Sequence, residues 1–133
     1  VWSGIDASLT SGIQIYGATQ GTLHVDCLEE RSCLGLEIYL FPKTELLLTC
    51  EGAYSCREVE VYYATPANDA MQAKIDVVAA GDYALYDARI RCPDLSSADN
   101  TCSVYAYGDY LQMMKALQIW TIGSFDDVNL VCN

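Results

Sequence analysis

Two stretches, Cys27-Leu-Glu-Glu-Arg-Ser-Cys33-Leu-Gly-Leu-Glu-Ile-Tyr39 and Cys50-Glu-Gly-Ala-Tyr-Ser-Cys56-Arg-Glu-Val-Glu-Val-Tyr62, superimpose at a shift of 23 residues. Self-similarity at such a period marks a repeat architecture in which each unit is one supersecondary element. The same frame runs on through Ala79-Ala-Gly-Asp-Tyr-Ala-Leu85-Tyr-Asp-Ala-Arg-Ile-Arg91, and again from Ala106-Tyr-Gly-Asp-Tyr110 to Ala116-Leu-Gln-Ile-Trp120 after a short insertion. Upstream, Gly12-Ile-Gln-Ile-Tyr16 matches the second half of the unit; downstream, Asn129-Leu-Val-Cys-Asn133 matches the first half. The units fall approximately at 1–22, 23–45, 46–73, 74–101 and 102–128, with a partial unit at 129–133, and are read as a single domain, either whole or a segment of a longer chain.

Each unit holds two short runs that alternate apolar and polar residues, the period of a half-buried strand and not of a helix. In the first run Val25, Leu48, Val77, Val104 and Leu130 share one position, and Leu23, Leu46, Ile75 and Cys102 share another two residues earlier. In the second run Ile13, Leu36, Val59, Ala88 and Leu117 align, as do Ile15, Ile38, Val61, Ile90 and Ile119. These four sets read as inward ladders. Between the second pair lies an outward row, Gln14, Glu37, Glu60, Arg89 and Gln118, in which stacked neighbours sit about 4.8 Å apart. Glu60 over Arg89 is favourable there and Glu37 over Glu60 is not. Beside it Tyr16, Tyr39, Tyr62, Arg91 and Trp120 form a largely aromatic strip on the outer face.

A unit this short cannot bury its apolar side alone, but coils stacked in register pair their backbone groups with the coils above and below while the inward ladders merge into one core. The prediction is an all-β fold, a short parallel β-helix (β-solenoid) of about five coils. A sandwich of antiparallel hairpins, the rival arrangement, has no need of recurring positions. Longer connections fall where Pro, Asn, Asp and Ser cluster, at Phe41–Glu45, Ala64–Asp69 and Pro93–Asn100, and are expected to project at one corner. Ala67 to Ala73 has room for a single helical turn. Gly52, Gly81 and Gly108 recur two residues after the aligned Cys50, Ala79 and Ala106, as a corner with positive φ requires; Glu29 breaks that rule.

Seven cysteines at regular spacings indicate disulfides and a secretory route. Cys27 with Cys33 and Cys50 with Cys56 bracket short turns, and Cys92 with Cys102 brackets the Pro-Asp loop, so local closure is the favoured pairing. Bridges between stacked coils, such as Cys27 to Cys50, are also geometrically open. Cys132 is left over, and is expected either to serve a continuing chain or to pair between chains. A zinc site lacks a close Cys-x-x-Cys pair or a second histidine.

Hydrophobic residues make up 52% of the chain and charged residues 19%, which argues against disorder. No apolar run approaches the roughly 20 residues of a membrane-spanning helix. A formal net charge of −11 disfavours nucleic acid and anionic membranes as partners. Val1 opens onto a polar, glycine-containing stretch and not onto a basic segment with an apolar run, as in a mature chain or an excised segment.

The Cys-x-Gly-x-x-Ser-Cys turn and the alternating Val-Glu-Val-Tyr strand at Cys50 to Tyr62 resemble the cysteine-rich parallel β-helix repeats of secreted and surface proteins from algae and other protists. Only two units keep both cysteines. The resemblance implies an extracellular, often multi-repeat architecture, and it implies no reaction.

No catalytic constellation is apparent. His24, the single histidine, reads as an ordinary outward residue, and Asp82, Asp87, Asp109, Asp126 and Asp127 as turn acids more readily than as the acidic pair of a polysaccharide-cleaving enzyme. Calcium at Gly81-Asp82, Gly108-Asp109 or Asp126-Asp127 lacks any established loop signature. The expectation is therefore a non-enzyme without metal or cofactor. Its expected role is that of a subunit or repeat segment of an extracellular filament, appendage or coat that assembles head to tail with itself, because open solenoid ends join unless capped. The binding or assembly face is placed at Tyr16, Tyr39, Tyr62 and Trp120. A glycan- or surface-binding adhesin is the second reading and a secreted polysaccharide lyase the third. No Asn-x-Ser/Thr sequon occurs; Asn100-Thr-Cys102 is the rare cysteine variant, and O-linked sugars stay open.

Overall fold

A computed structural model describes residues 14–16, 21–40, 44–63, 73–93, 95, 100–108, 112, 115–120 and 128–132. Among them lie ten strands: β1 (Gln14–Tyr16), β2 (Gly21–Cys27), β3 (Glu37–Leu40), β4 (Thr44–Cys50), β5 (Glu60–Tyr63), β6 (Lys74–Ala79), β7 (Arg89–Arg91), β8 (Thr101–Ala106), β9 (Gln118–Trp120) and β10 (Asn129–Cys132). The odd strands form one sheet in the order β1-β3-β5-β7-β9 and the even strands another in the order β10-β8-β6-β4-β2. Every pairing is parallel, and the chain passes from one sheet to the other at each step, which makes a β-solenoid.

The register follows the repeat residue for residue. Val25 lies opposite Leu48, Leu48 opposite Val77, Val77 opposite Val104, and Val104 opposite Leu130. In the other sheet Ile15, Ile38, Val61, Ile90 and Ile119 follow one another in the same way. The inward residues of β2 to β8 are buried and merge into one core; Ile13 lies outside the described residues. The coil count is corrected downward. Three coils, at 21–40, 44–63 and 73–91, are described in both strands and the wall between them, against the five expected. β1 and β10 each supply one side of a coil, and the fourth coil is described only in part.

A third wall joins each even strand to the following odd one, and here the chain alternates two kinds of hydrogen bond. Ser55, Arg57 and Val59 donate their amides to the carbonyls of Gly52, Tyr54 and Cys56, closing successive tight turns. The intervening amides of Tyr54, Cys56 and Glu58 donate along the stack to Asp82, Ala84 and Tyr86, at 2.9 to 3.0 Å. This alternation needs left-handed backbone at fixed places. Arg31, Tyr54 and Tyr83 have φ of 58°, 54° and 53°, and Gly35, Glu58, Asp87 and Ala116 have 71°, 60°, 55° and 58°. Each non-glycine there costs roughly 1 kcal/mol, and the bonds to the next coil hold it in place.

The corner glycines act differently from the expectation. Gly108 does have positive φ, at 103°, but Gly52 and Gly81 do not. Their requirement is space. A Cβ at Gly52 would stand 2.3 Å from the carbonyl oxygen of Glu29, and one at Gly81 would stand 2.3 Å from that of Gly52. Side-chain carbons at this corner point at the preceding coil. Glu29 is tolerated because, among the described residues, no coil precedes it at that corner.

The disulfides close corners within coils. Cys27–Cys33 and Cys50–Cys56, with Cα atoms 5.7 and 5.8 Å apart, tie the ends of β2 and β4 to the wall that follows. Cys92–Cys102 spans the connection from β7 to β8. In the third coil Ala79 and Leu85 take the two cysteine positions and are fully buried. Most of the Pro- and Asp-rich connections, including Ala67 to Gln72, lie outside the described residues. By topology, all three join an odd strand to the next even one.

Two outcomes are expected. Gly52→Ala and Gly81→Ala should each lose on the order of 3 kcal/mol, because backbone cannot retreat from the added methyl. Ala79→Cys with Leu85→Cys should form a third staple of the same geometry and raise stability by about 2 kcal/mol. Urea unfolding of non-reduced protein measures both.

Candidate binding and assembly face

The outer face of the odd-strand sheet brings together the residues singled out from the sequence. Its polar row and aromatic strip alternate along short strands, so each ring lies two residues from a polar side chain of its own strand. Tyr16 donates its hydroxyl to Gln14 Oε1 at 3.1 Å, Tyr39 to Glu37 Oε2 at 2.9 Å, and Tyr62 to Glu60 Oε2. Stacking then aligns equivalent groups. The rings of Tyr16 and Tyr39 lie 5.0 Å apart at 14°, and those of Tyr39 and Tyr62 lie 5.4 Å apart at 21°. Beyond them Arg91 lies opposite Trp120 in the same sheet.

The Glu37–Glu60 repulsion foreseen in the row is real but compensated. Gln14 Nε2 donates to Glu37 Oε2 at 2.8 Å on one side, and Arg89 Nη1 reaches Glu60 Oε1 at 3.5 Å on the other. With the tyrosine hydroxyls, each carboxylate has two partners. The phenols answer in their acidity. The hydrogen bond to Glu37, with burial and nearby negative charge, raises Tyr39 above its ordinary value. The bond to Glu60, with the same secondary causes, pushes Tyr62 up to about 12.

Where this sheet meets the turn wall, Gly35, Glu37, Glu58, Glu60, Asp87 and Arg89 line an open groove of about 330 Å³. It is acidic. Among the described residues, however, no group of three or more His, Cys, Asp or Glu side chains is placed to hold a metal ion. His24 sits half-buried at an outward position of β2, in the other sheet. Asp82 and Asp87 lie on the turn wall; Asp109, Asp126 and Asp127 lie outside the described residues. Asn100 is buried, and its Oδ1 accepts the amide of Ala73 at 3.0 Å, so its side chain is engaged in the fold and not offered to a glycan. Cys132 is exposed on β10, opposite Ala106.

A second aromatic array, on the turn wall, escaped the sequence reading. Tyr54 and Tyr83 stack at 5.1 Å and 4°, and Tyr86 meets Tyr83 edge-on at 6.1 Å. Arg57 lies 5.8 Å from the Tyr54 ring and 5.2 Å from that of Tyr86, and Arg31 lies 5.8 Å from Tyr54, within reach of cation–π attraction. The signal was present. Arg31, Tyr54 and Tyr83 hold one repeat position, and Arg57 and Tyr86 another, but only the strands had been read as ladders. Among the described residues no helix is long and apolar enough to cross a membrane.

The raised phenols set a pH dependence. A tyrosine whose folded pKa exceeds its unfolded value contributes stability that is complete below the unfolded pKa and is lost as pH rises through the folded one. For Tyr62 that window runs from 10.0 to about 12. Phenolate absorbance should show its ionisation as the last step, and Tyr62→Phe should remove that step and flatten the loss of stability across the window. No protein-family model matches this chain, and no curated protein or solved structure matches it either.

Proposed function

We propose that this solenoid is a structural unit, a subunit or repeat segment of an extracellular filament, appendage or cell-surface coat, and that its work is assembly. The observation that carries this reading is the state of the strand edges. Among the described residues, β1 and β9 in one sheet and β2 and β10 in the other each have one edge without a strand partner. An in-register parallel edge templates another strand, whether that strand comes from further coils or from another copy. Three disulfides suit an oxidising, extracellular setting. The Cys-x-Gly-x-x-Ser-Cys turns point the same way through their likeness to protist surface repeats. Cys132, exposed on β10, would serve as a covalent lock between neighbouring units.

A second reading rests on the stacked tyrosines. A flat aromatic strip beside carboxylates suits the faces and hydroxyls of sugar rings, as in an adhesin. Catalysis has no place in either reading.

Electron microscopy of non-reduced protein over a range of concentrations separates them. Filaments support assembly. Discrete particles at every concentration, together with glycan affinity lost in Tyr39→Ala and Tyr62→Ala, would replace it with the adhesin. Cleavage of a polysaccharide would overturn both.

A further inference from the structure

The two sheets are offset by one strand. In the odd sheet β1 stands one level before β2, and in the even sheet β10 stands one level beyond β9. Each end of the described stack therefore offers half a coil, and the two halves are complementary. With β10 of one copy and β1 of the next at the same level, one shared coil closes. We propose that a second copy of this chain docks there, with β9 against the next copy's β1 and β10 against its β2. The proposal deepens the assembly reading and rests on it.

The side chains support this register. Continuing the ladders places Gln118 on Gln14, Ile119 on Ile15 and Trp120 on Tyr16, and in the other sheet Leu130 on Val25. Every ladder continues in kind, apolar on apolar and ring on ring. Charge supports it as well. The polar row carries Glu37, Glu60 and Arg89 in its interior but uncharged glutamine at both ends, so the junction brings no like charges together. A glutamine pair also stacks well in register, as it does in side-chain ladders of fibrils.

Exposure marks the same strands. Of the five large apolar side chains that stand exposed among the described residues, three belong to them: Tyr16 at 56%, Trp120 at 47% and Leu130 at 39%. Ile15 and Ile119 are only partly buried, whereas Ile38, Val61 and Ile90 of the same ladder are fully covered. A docked copy would cover all five residues. At the corner above Glu29 the fit differs, because the Cβ of Glu29 points where a preceding carbonyl would lie. The junction closes through the two sheets, and that corner stays apart.

The test is a charge exchange at the ladder ends, read as the critical concentration for assembly by sedimentation and electron microscopy of non-reduced protein. Gln14→Glu with Gln118→Glu sets like charges across the junction and should raise that concentration about tenfold or more. Gln14→Lys with Gln118→Glu sets opposite charges there and should lower it. In this second variant the new groups also face Glu37 and Arg89 within the chain, so it should fold whether or not the first does. Circular dichroism of dilute samples keeps folding separate from association. Wild-type filaments with an axial repeat of roughly 24 Å, five levels at about 4.8 Å, and opposite shifts in the two variants are the expected result. Filaments indifferent to both variants would overturn this junction while leaving assembly standing. Wild-type protein that stays monomeric at every concentration would overturn both.

Discussion

Everything in this molecule follows from in-register parallel stacking, which sets each residue over its counterpart one coil away. The spacing is about 4.8 Å, shorter than most side chains are wide, so a residue's first neighbour is its own equivalent. Inward this is advantageous: Ile38 on Val61 on Ile90 is continuous apolar contact without voids. Outward it forces a choice at each position between like groups that attract and like groups that repel. The tyrosine strip is the first kind and the Glu37–Glu60 step the second.

The same spacing explains the backbone of the turn wall. A wall that turns tightly within a coil and still bonds to the coils above and below must divide its amides between the two tasks. It does so by alternation, and the cost is left-handed backbone at Arg31, Tyr54, Glu58, Tyr83, Asp87 and Ala116, none of which is glycine. Glycine is kept instead at Gly52 and Gly81, where the carbonyl of the preceding coil leaves no room for a methyl. Close approach along the axis is thus the more demanding constraint. Local strain is spread over positions that hydrogen bonds to neighbouring coils hold fixed.

The strands were legible because their period of two and the unit shift coincide, so a single alignment gave ladder, register and facing of β2 to β9 together. Local disulfides were legible from spacing, since a coil returns to the same corner only after a full unit whereas Cys27 and Cys33 share one corner. The turn wall was not legible in the same way. Its residues follow neither a helical nor a strand period, and its left-handed positions are held by Tyr, Glu and Asp, which carry no signal for positive φ. That is why Gly52 and Gly81 were credited with a conformational role they do not have, and why the Tyr54–Tyr83 stack went unseen.

The staples are distributed unevenly, and the stack's energetics follow from that. Cys27–Cys33 and Cys50–Cys56 close short loops worth about 2 kcal/mol each in the unfolded chain, whereas the third coil relies on Ala79 and Leu85. In a solenoid each coil touches only its neighbours, so stability is close to a sum of local terms and does not average over the molecule. The coils from β2 to β5 form the stiff part. Toward β9 and β10 the wall disulfide is gone, Leu117 and Ile119 are only partly covered, and opening costs least. A partner seated on those strands gains the most by ordering them, which gives the less stapled end of the stack the greater dependence on what joins it.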